Sequence, residues 1–297
     1  MRILLLSLLL SGCSLSRMGM NAIARKAERT GMEERVMTAD GQTVRYWIGG
    51  EGPPVLLLHG FGGDGLATWQ GQLEAFTAEH TVIVPDLLWF GESHSTNTPS
   101  LTLQAQTQLA LLESLGIDRL DVVGISYGGF VTLLLFQLAP EKLNRVVIVD
   151  SPGPLFGEED VEEMAARFGV DDPEELFIPE SPEAVGKLLG LAYHKPQRLP
   201  RFILRDIQRN IFASHHDELR ALMSDLESHR EVLDADALSV PPESLVVWGS
   251  HDEVFPLDIG EQMAELMQAE LVTIEQTAHA PQAERPEPFN EAVLQFL

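Results

Sequence analysis

The chain has 297 residues, 44% of them hydrophobic, enough to bury the core of one large domain and too apolar for global disorder. Its 45 acidic and 20 basic residues give a formal charge of −25, which argues against nucleic acid as a partner and against adhesion of the whole surface to anionic lipid. The single cysteine, Cys13, excludes an intramolecular disulfide.

Met1-Arg2 is followed by an apolar run from Ile3 to Leu10, then by Ser11-Gly12-Cys13. A charged start, a short apolar stretch and small residues describe an export signal, too short to span a bilayer. Leu10-Ser11-Gly12-Cys13 resembles the bacterial lipobox. That resemblance implies a signal peptide over residues 1–13, lipidation at Cys13, and an exported lipoprotein held to a membrane by a lipid anchor. Residues 14–33 are polar and mixed and are expected to form a linker, with a short basic helix around Asn21–Arg29.

The main folded domain is expected from about residue 34 to 297. Val36–Thr38 and Thr43–Ile48 read as strands joined through Asp40-Gly41. Pro54–Leu58 is a continuous apolar strand running into His59-Gly60-Phe61-Gly62. A helix is expected over Thr68–Ala78, a strand over Thr81–Pro85, and a helix over Leu101–Leu115. Leu120 to Ile125 reads as a strand buried on both faces, and Phe130 to Leu138 as a buried helix. Between them Gly124-Ile125-Ser126-Tyr127-Gly128 fits G-x-S-x-G, the sharp strand-to-helix turn that lifts a serine hydroxyl clear of a sheet. A further strand ends at Asp150. From about residue 152 to 241 no buried strand is legible, and helical pieces point to a lid inserted over the elbow. Strand and helix then alternate again to the end of the chain, which predicts a mostly parallel sheet covered on both faces.

A serine hydroxyl needs a base, and the base needs a third group to orient it. Asp252 follows the apolar strand Leu245–Trp248, and His279 follows the strand Glu270–Ile274. The order Ser126, Asp252, His279 is the one expected with this elbow. Asp150 also ends a strand and is the alternative acid. The other histidines are scattered and lack the spacing of metal ligands, so neither a metal nor a cofactor is expected.

His59-Gly60-Phe61-Gly62, Asp86…Gly91-Glu92-Ser93, Gly124-Ile125-Ser126-Tyr127-Gly128-Gly129, Gly249…Asp252…Pro256 and His279-Ala280-Pro281…Glu284-Arg285-Pro286 occur in this order. Together they resemble the α/β-hydrolase fold superfamily over nearly all of Val36–Leu297. The resemblance implies Ser126 as nucleophile, His279 as base and then acid, Asp252 as its orienter, and the N–H groups of Phe61 and Tyr127 as the oxyanion hole. It gives His59 a role in shaping the oxyanion loop and none in catalysis.

The N-terminus and lid are similar to those of bacterial monoacylglycerol lipases and carboxylesterases, which implies a small-molecule ester or lipid substrate. Trp89 and Phe90 are bulkier than the residues common at those positions and are expected near the substrate pocket. That pocket is expected to be apolar and to lie between the elbow and the helices over Phe202–Phe212 and Glu218–Glu227. Serine at the elbow separates the chain from epoxide hydrolases and haloalkane dehalogenases of this fold, which carry aspartate there. Carbon–carbon bond hydrolases, cofactor-free perhydrolases and iminopeptidases stay open, as does a non-catalytic ligand-binding homologue, although no triad member is missing.

Overall fold

Successive residues of the buried strands point to opposite sides of one sheet. In a computed structural model, which describes residues 14–297 apart from 156, 172–173, 229–232 and 234–242, nine strands form that sheet. They are β1 (Glu33–Ala39), β2 (Gln42–Gly49), β3 (Pro54–Leu58), β4 (Thr81–Pro85), β5 (His94–Ser95), β6 (Leu120–Ile125), β7 (Leu143–Val149), β8 (Glu243–Gly249) and β9 (Glu270–Ile274). The spatial order is β1-β2-β4-β3-β6-β7-β8-β9, with β5 beside β2. β1 and β2 pair antiparallel through the Asp40-Gly41 turn, and β2 is antiparallel to β4. The remaining six strands run parallel.

Leu56, Leu58, Val122, Val146, Ile148 and Val246 face one side of the sheet. There α4 (Leu101–Ser114) and α5 (Tyr127–Leu138) cover them. Val55, Leu57, Val123, Val147, Val149 and Val247 face the other side. They meet α1 (Leu15–Arg29), α2 (Gly65–Trp69), α3 (Leu73–Phe76) and the C-terminal helix through Ala27, Trp69, Phe76 and Phe289. Each buried Leu or Val side chain contributes about 1.5–3 kcal/mol, so the central strands stabilise the fold through both of their faces.

Two local differences from the sequence expectation have simple causes. The helix expected over Thr68–Ala78 is two short helices, and Asp64 caps the first at Ala67 N (2.7 Å), which sets its earlier start. The segment read as a linker is a full helix, α1, packed on the core. Ser14 caps it, and Ile23, Ala24 and Ala27 turn inward.

Between β7 and β8 the chain forms α6 (Glu158–Phe168), α7 (Glu174–Phe177), α8 (Pro182–Ala192), α9 (Arg201–Ile211) and α10 (His216–Ser228), and no strand among the described residues. The end of the chain adds α11 (Leu257–Leu266), α12 (Pro281–Glu284) and α13 (Pro286–Phe296). Among the described residues no helix is long and apolar enough to cross a membrane. Residues 1–13, with Cys13, lie outside the described residues.

The strand order reverses at β3. From there the chain moves outward to β4 and later returns to place β6 on the other side. A crevice opens at such a switch point, at the carboxyl ends of the strands. The loops after β3 and β6 meet there, and those after β7, β8 and β9 follow along the same edge.

Candidate active site

Ser126 sits between β6 and α5 with φ 53° and ψ −120°. A non-glycine residue in that region costs about 1–3 kcal/mol and persists only where its surroundings impose it. Here the imposition is visible. Ser126 N–H donates to Val149 O at 2.9 Å, which ties the elbow to β7. Any Cβ on Gly128 would overlap the carbonyls of Leu58 and His59, so only glycine lets α5 start this close to β3. Ser126 remains partly accessible at the start of α5, whose N-terminal dipole favours negative charge.

The loop after β3 lies against the elbow. A Cβ on Gly60 would stand 3.0 Å from Ser126 Cβ and 3.6 Å from its Oγ. His59 fixes this loop from behind. Its Nε2 accepts from Leu87 N–H at 2.9 Å, so Nδ1 carries the proton and donates to Gly60 O at 2.8 Å. Burial lowers the His59 pKa and keeps the ring neutral. Phe61 follows, its ring edge-on to Tyr127 at 5.4 Å and to Phe90 at 4.9 Å. As the first residue of α5, Tyr127 has an N–H that intrahelical bonding leaves free.

Asp252 and His279 come together at the ends of β8 and β9. His279 Nδ1 donates to Asp252 Oδ2 at 2.8 Å. Asp252 Oδ1 accepts from Val254 N–H at 2.7 Å and Phe255 N–H at 3.1 Å. The Asp252 side chain is fully buried, so each of its oxygens has a fixed donor. Trp248 closes this turn by donating Nε1–H to Phe255 O at 2.8 Å. With Nδ1 protonated, His279 Nε2 holds a lone pair; it is buried and has no hydrogen-bond partner. An imidazole so oriented can take a proton from a hydroxyl and return it.

Asp150 lies beside this pair but does not hold the histidine. It is fully buried, at φ 42°, and accepts from Gly249 N–H at 2.8 Å through Oδ1. Burial first, and the adjacent Asp252 second, raise its pKa well above the ordinary carboxylate value.

In front of Ser126 is a small apolar cavity of about 40 Å³. Phe61, Tyr127, Phe130 and Phe255 line it from the core, and Val161 and Met164 of α6, Phe177 of α7 and Met223 and Leu226 of α10 from the lid. The sequence placed α9 over the pocket; instead α6 takes that place and α9 packs on α8 and α1. Trp89 and Phe90 do not line this cavity. Phe90 backs it by packing on Phe61 and Tyr127 (centroids 6.3 Å for the latter). Both instead line a second cavity of about 450 Å³ beneath α1 and the end of α9, which shares only Phe177 with the first.

Comparison with known proteins identifies the family. Residues 53–286 match the model of the alpha/beta hydrolase fold family. The chain belongs to the α/β-hydrolase fold family. It is 30% identical over 262 residues to the dihydrolipoyllysine-residue acetyltransferase component of the acetoin cleaving system of Pseudomonas putida, covering 86% of this chain and 67% of that one. It is also 30% identical over 275 residues to a 2-hydroxymuconate semialdehyde hydrolase of Pseudomonas putida, covering 89% and 93%. Among solved structures, a bacterial membrane phospholipase A superposes with TM-score 0.80 at 24% identity, covering 95% of this chain and 90% of that one.

This α/β hydrolase carries supporting residues that sequence reading did not assign. Glu284 accepts from Ala278 N–H at 2.7 Å, bracing the loop of His279, and from His194 N–H at 2.9 Å, tying that loop to the segment after α8. Its only sequence signal is a place in Glu284-Arg285-Pro286. Asp86 accepts from Arg45 Nη2 (2.7 Å), Gly65 N–H (3.0 Å) and Glu92 N–H (3.1 Å), which joins the loops after β3 and β4. Among the described residues of this hydrolase, no group of three or more His, Cys, Asp or Glu could hold a metal ion.

Proposed function

We propose that this α/β hydrolase cleaves carboxylic esters of apolar acyl groups through an acyl-enzyme formed on Ser126. In this reading His279 Nε2 takes the Ser126 proton as Oγ attacks the ester carbonyl, and Asp252 stabilises the resulting imidazolium. The carbonyl oxygen, now negative, is held by the N–H groups of Phe61 and Tyr127, donors worth about 3–4 kcal/mol each to the transition state. His279 then protonates the departing alcohol. Water repeats the cycle on the acyl-enzyme and releases the acid.

The observation that carries the ester reading is the lining of the Ser126 cavity, which contains no charged side chain. Apolar walls around a polar reacting centre suit an acyl chain. The 2-hydroxymuconate semialdehyde hydrolase among the relatives acts, by its name, on a substrate bearing a carboxylate. An acid in this cavity would lose its hydration with no cation in return. Ester hydrolysis is therefore preferred to carbon–carbon bond cleavage.

The cavity of about 40 Å³ is far smaller than the ~300–1,000 Å³ of ordinary ligand pockets. Substrate entry on this reading requires α6, α7 and α10 to move outward. The test is a panel of p-nitrophenyl esters from acetate upward, run beside an acidic carbon–carbon substrate. A kcat/KM rising from acetate toward medium chains, with no cleavage of the acid, supports the reading. The reverse pattern overturns it. We also propose, from the lipobox-like sequence alone, that the enzyme is exported and anchored by lipid on Cys13.

A further inference from the structure

Charge is not spread evenly over this acidic protein. Residues 14–32 and 187–216 together carry ten of its 20 lysines and arginines and only two of its 45 acidic residues, Glu28 and Asp206. The fold brings the two segments side by side. Asp206 accepts from Ser16 N–H at 2.7 Å and Ser14 Oγ at 3.0 Å, which pins the start of α1 to α9 and directs that carboxylate into the joint. What faces outward is mainly basic, with Glu28 the exposed exception. Arg25, Lys26 and Arg29 of α1 and Arg201, Arg205 and Arg209 of α9 are exposed. Arg201 shares an exposed pair with Glu183, while Arg205 and Arg209 have no ion pair among the described residues.

Apolar exposure is concentrated in the same place. Six large apolar residues stand exposed among the described residues, and four are here: Leu15 (50%), Met18 (54%), Phe202 (62%) and Ile211 (39%). On α9, Phe202, Arg205 and Arg209 follow at helical spacing and share one face. Bulky apolar groups set among arginines are what an interfacial helix presents to a lipid headgroup layer. Nucleic acid would use the cations and leave Phe202 and Met18 without a role.

We infer that the paired outer faces of α1 and α9 dock on an anionic phospholipid bilayer. Formal charge argued against adhesion of the whole surface, and the rest of the surface is indeed acidic; the segregation confines attraction to this face and so sets the orientation of the bound enzyme. Cations at an anionic leaflet draw the face in, and the four apolar side chains enter the headgroup layer. The 450 Å³ cavity lies beneath these same two helices, lined by Arg17 and Met20 of α1 and by Ile211 of α9. The docked enzyme therefore holds that cavity and its shared wall, Phe177, behind its membrane-facing helices.

Docking is independent of both the ester reading and lipidation, and its test reads binding alone. The full chain, wild type and Cys13→Ser, is sedimented with vesicles of phosphatidylcholine and of phosphatidylcholine with phosphatidylglycerol. Both proteins should partition more strongly onto the anionic vesicles at low salt and lose that preference at high salt. Combined Arg201→Gln, Arg205→Gln and Arg209→Gln should weaken partitioning roughly a hundredfold, at about fivefold per cation near the surface. Arg25→Gln, Lys26→Gln and Arg29→Gln on α1 provide a second variant should the first unfold by circular dichroism. The same change in net charge elsewhere, Arg35→Gln, Arg119→Gln and Lys142→Gln, should leave partitioning unaltered. Equal binding to neutral and anionic vesicles overturns the inference. So does an equal loss in the control variant, or retention on duplex DNA in place of vesicles.

Discussion

His279 Nδ1 lies 2.8 Å from Asp252 Oδ2, and the other oxygen of that carboxylate is held by the N–H groups of Val254 and Phe255. The carboxylate is fixed from one side so that it can fix the imidazole from the other. Asn at position 252 would keep the shape but accept poorly on one side and favour the wrong imidazole tautomer. Asp252→Asn is expected to lower kcat by ~10³–10⁴ with little change in fold. Asp150→Asn, which keeps an acceptor for Gly249 N–H at a side chain that does not touch the histidine, is expected to stay within a few-fold of wild type. Ester kinetics on both variants decide which acid serves the histidine, and the opposite ranking would assign it to Asp150.

Asp64 gives a pH prediction. Burial, and then the neighbouring Asp86, push its carboxyl up to about 6 from an ordinary 3.8. Between those values the folded protein holds a proton that the unfolded chain has lost. The contribution of this group is therefore intact below about 3.8 and is lost as pH rises toward 6, by about 3 kcal/mol. Asp64→Asn keeps an N-cap side chain and removes the titration. Relative to wild type, the variant should gain stability between pH 4 and pH 7 in urea titrations. A difference constant with pH would contradict this.

Phe177 separates the cavity at Ser126 from the larger one beneath α1 and α9. Truncating it to alanine should join the two. Room for two more buried CH₂ groups corresponds to roughly tenfold in binding. The ratio of kcat/KM for dodecanoate over butyrate esters should rise by about that factor in Phe177→Ala. An unchanged ratio would mean that the acyl chain leaves the Ser126 cavity by another wall.

Much of the site was legible because its parts are local. Ser126 is announced by a buried strand, two glycines and a buried helix within 19 residues of sequence, Leu120–Leu138. Asp252 and His279 each follow a short apolar strand, and parallel strands deliver their C-terminal loops to one edge. The packing of the lid was not legible. Ile203, Leu204 and Ile207 make one apolar face of α9 whether that face meets the elbow or its helical neighbours, and only tertiary contacts choose the latter. α1 read as a linker because its inward residues are small, Ala24 and Ala27 beside Ile23. Trp89 and Phe90 follow a strand end, as pocket residues do. The left-handed backbone at Trp89 (φ 68°) accompanies a turn that puts Phe90 behind Phe61.

The lipobox-like end at Cys13 predicts a mature protein that begins with an acylated cysteine. Mass spectrometry of the N-terminus after expression in a bacterial host is the check. A retained Met1, or cleavage leaving an unmodified first residue, would contradict it. Either result leaves the catalytic account untouched, because the residues of the site lie between His59 and Glu284.

On the proposed reading, Ser126 makes this hydrolase an esterase. The most direct test is turnover of a medium-chain p-nitrophenyl ester by wild type and by Ser126→Ala, with unfolding curves to show that both are folded. The elbow side chain is partly exposed and adds little packing, so stability should be nearly unchanged. Turnover should fall by at least ~10³-fold, leaving only what binding and the oxyanion donors provide. Near-wild-type turnover by Ser126→Ala would remove Ser126 from the nucleophile role, and no turnover by the wild-type protein on any ester of the panel would rule out an esterase.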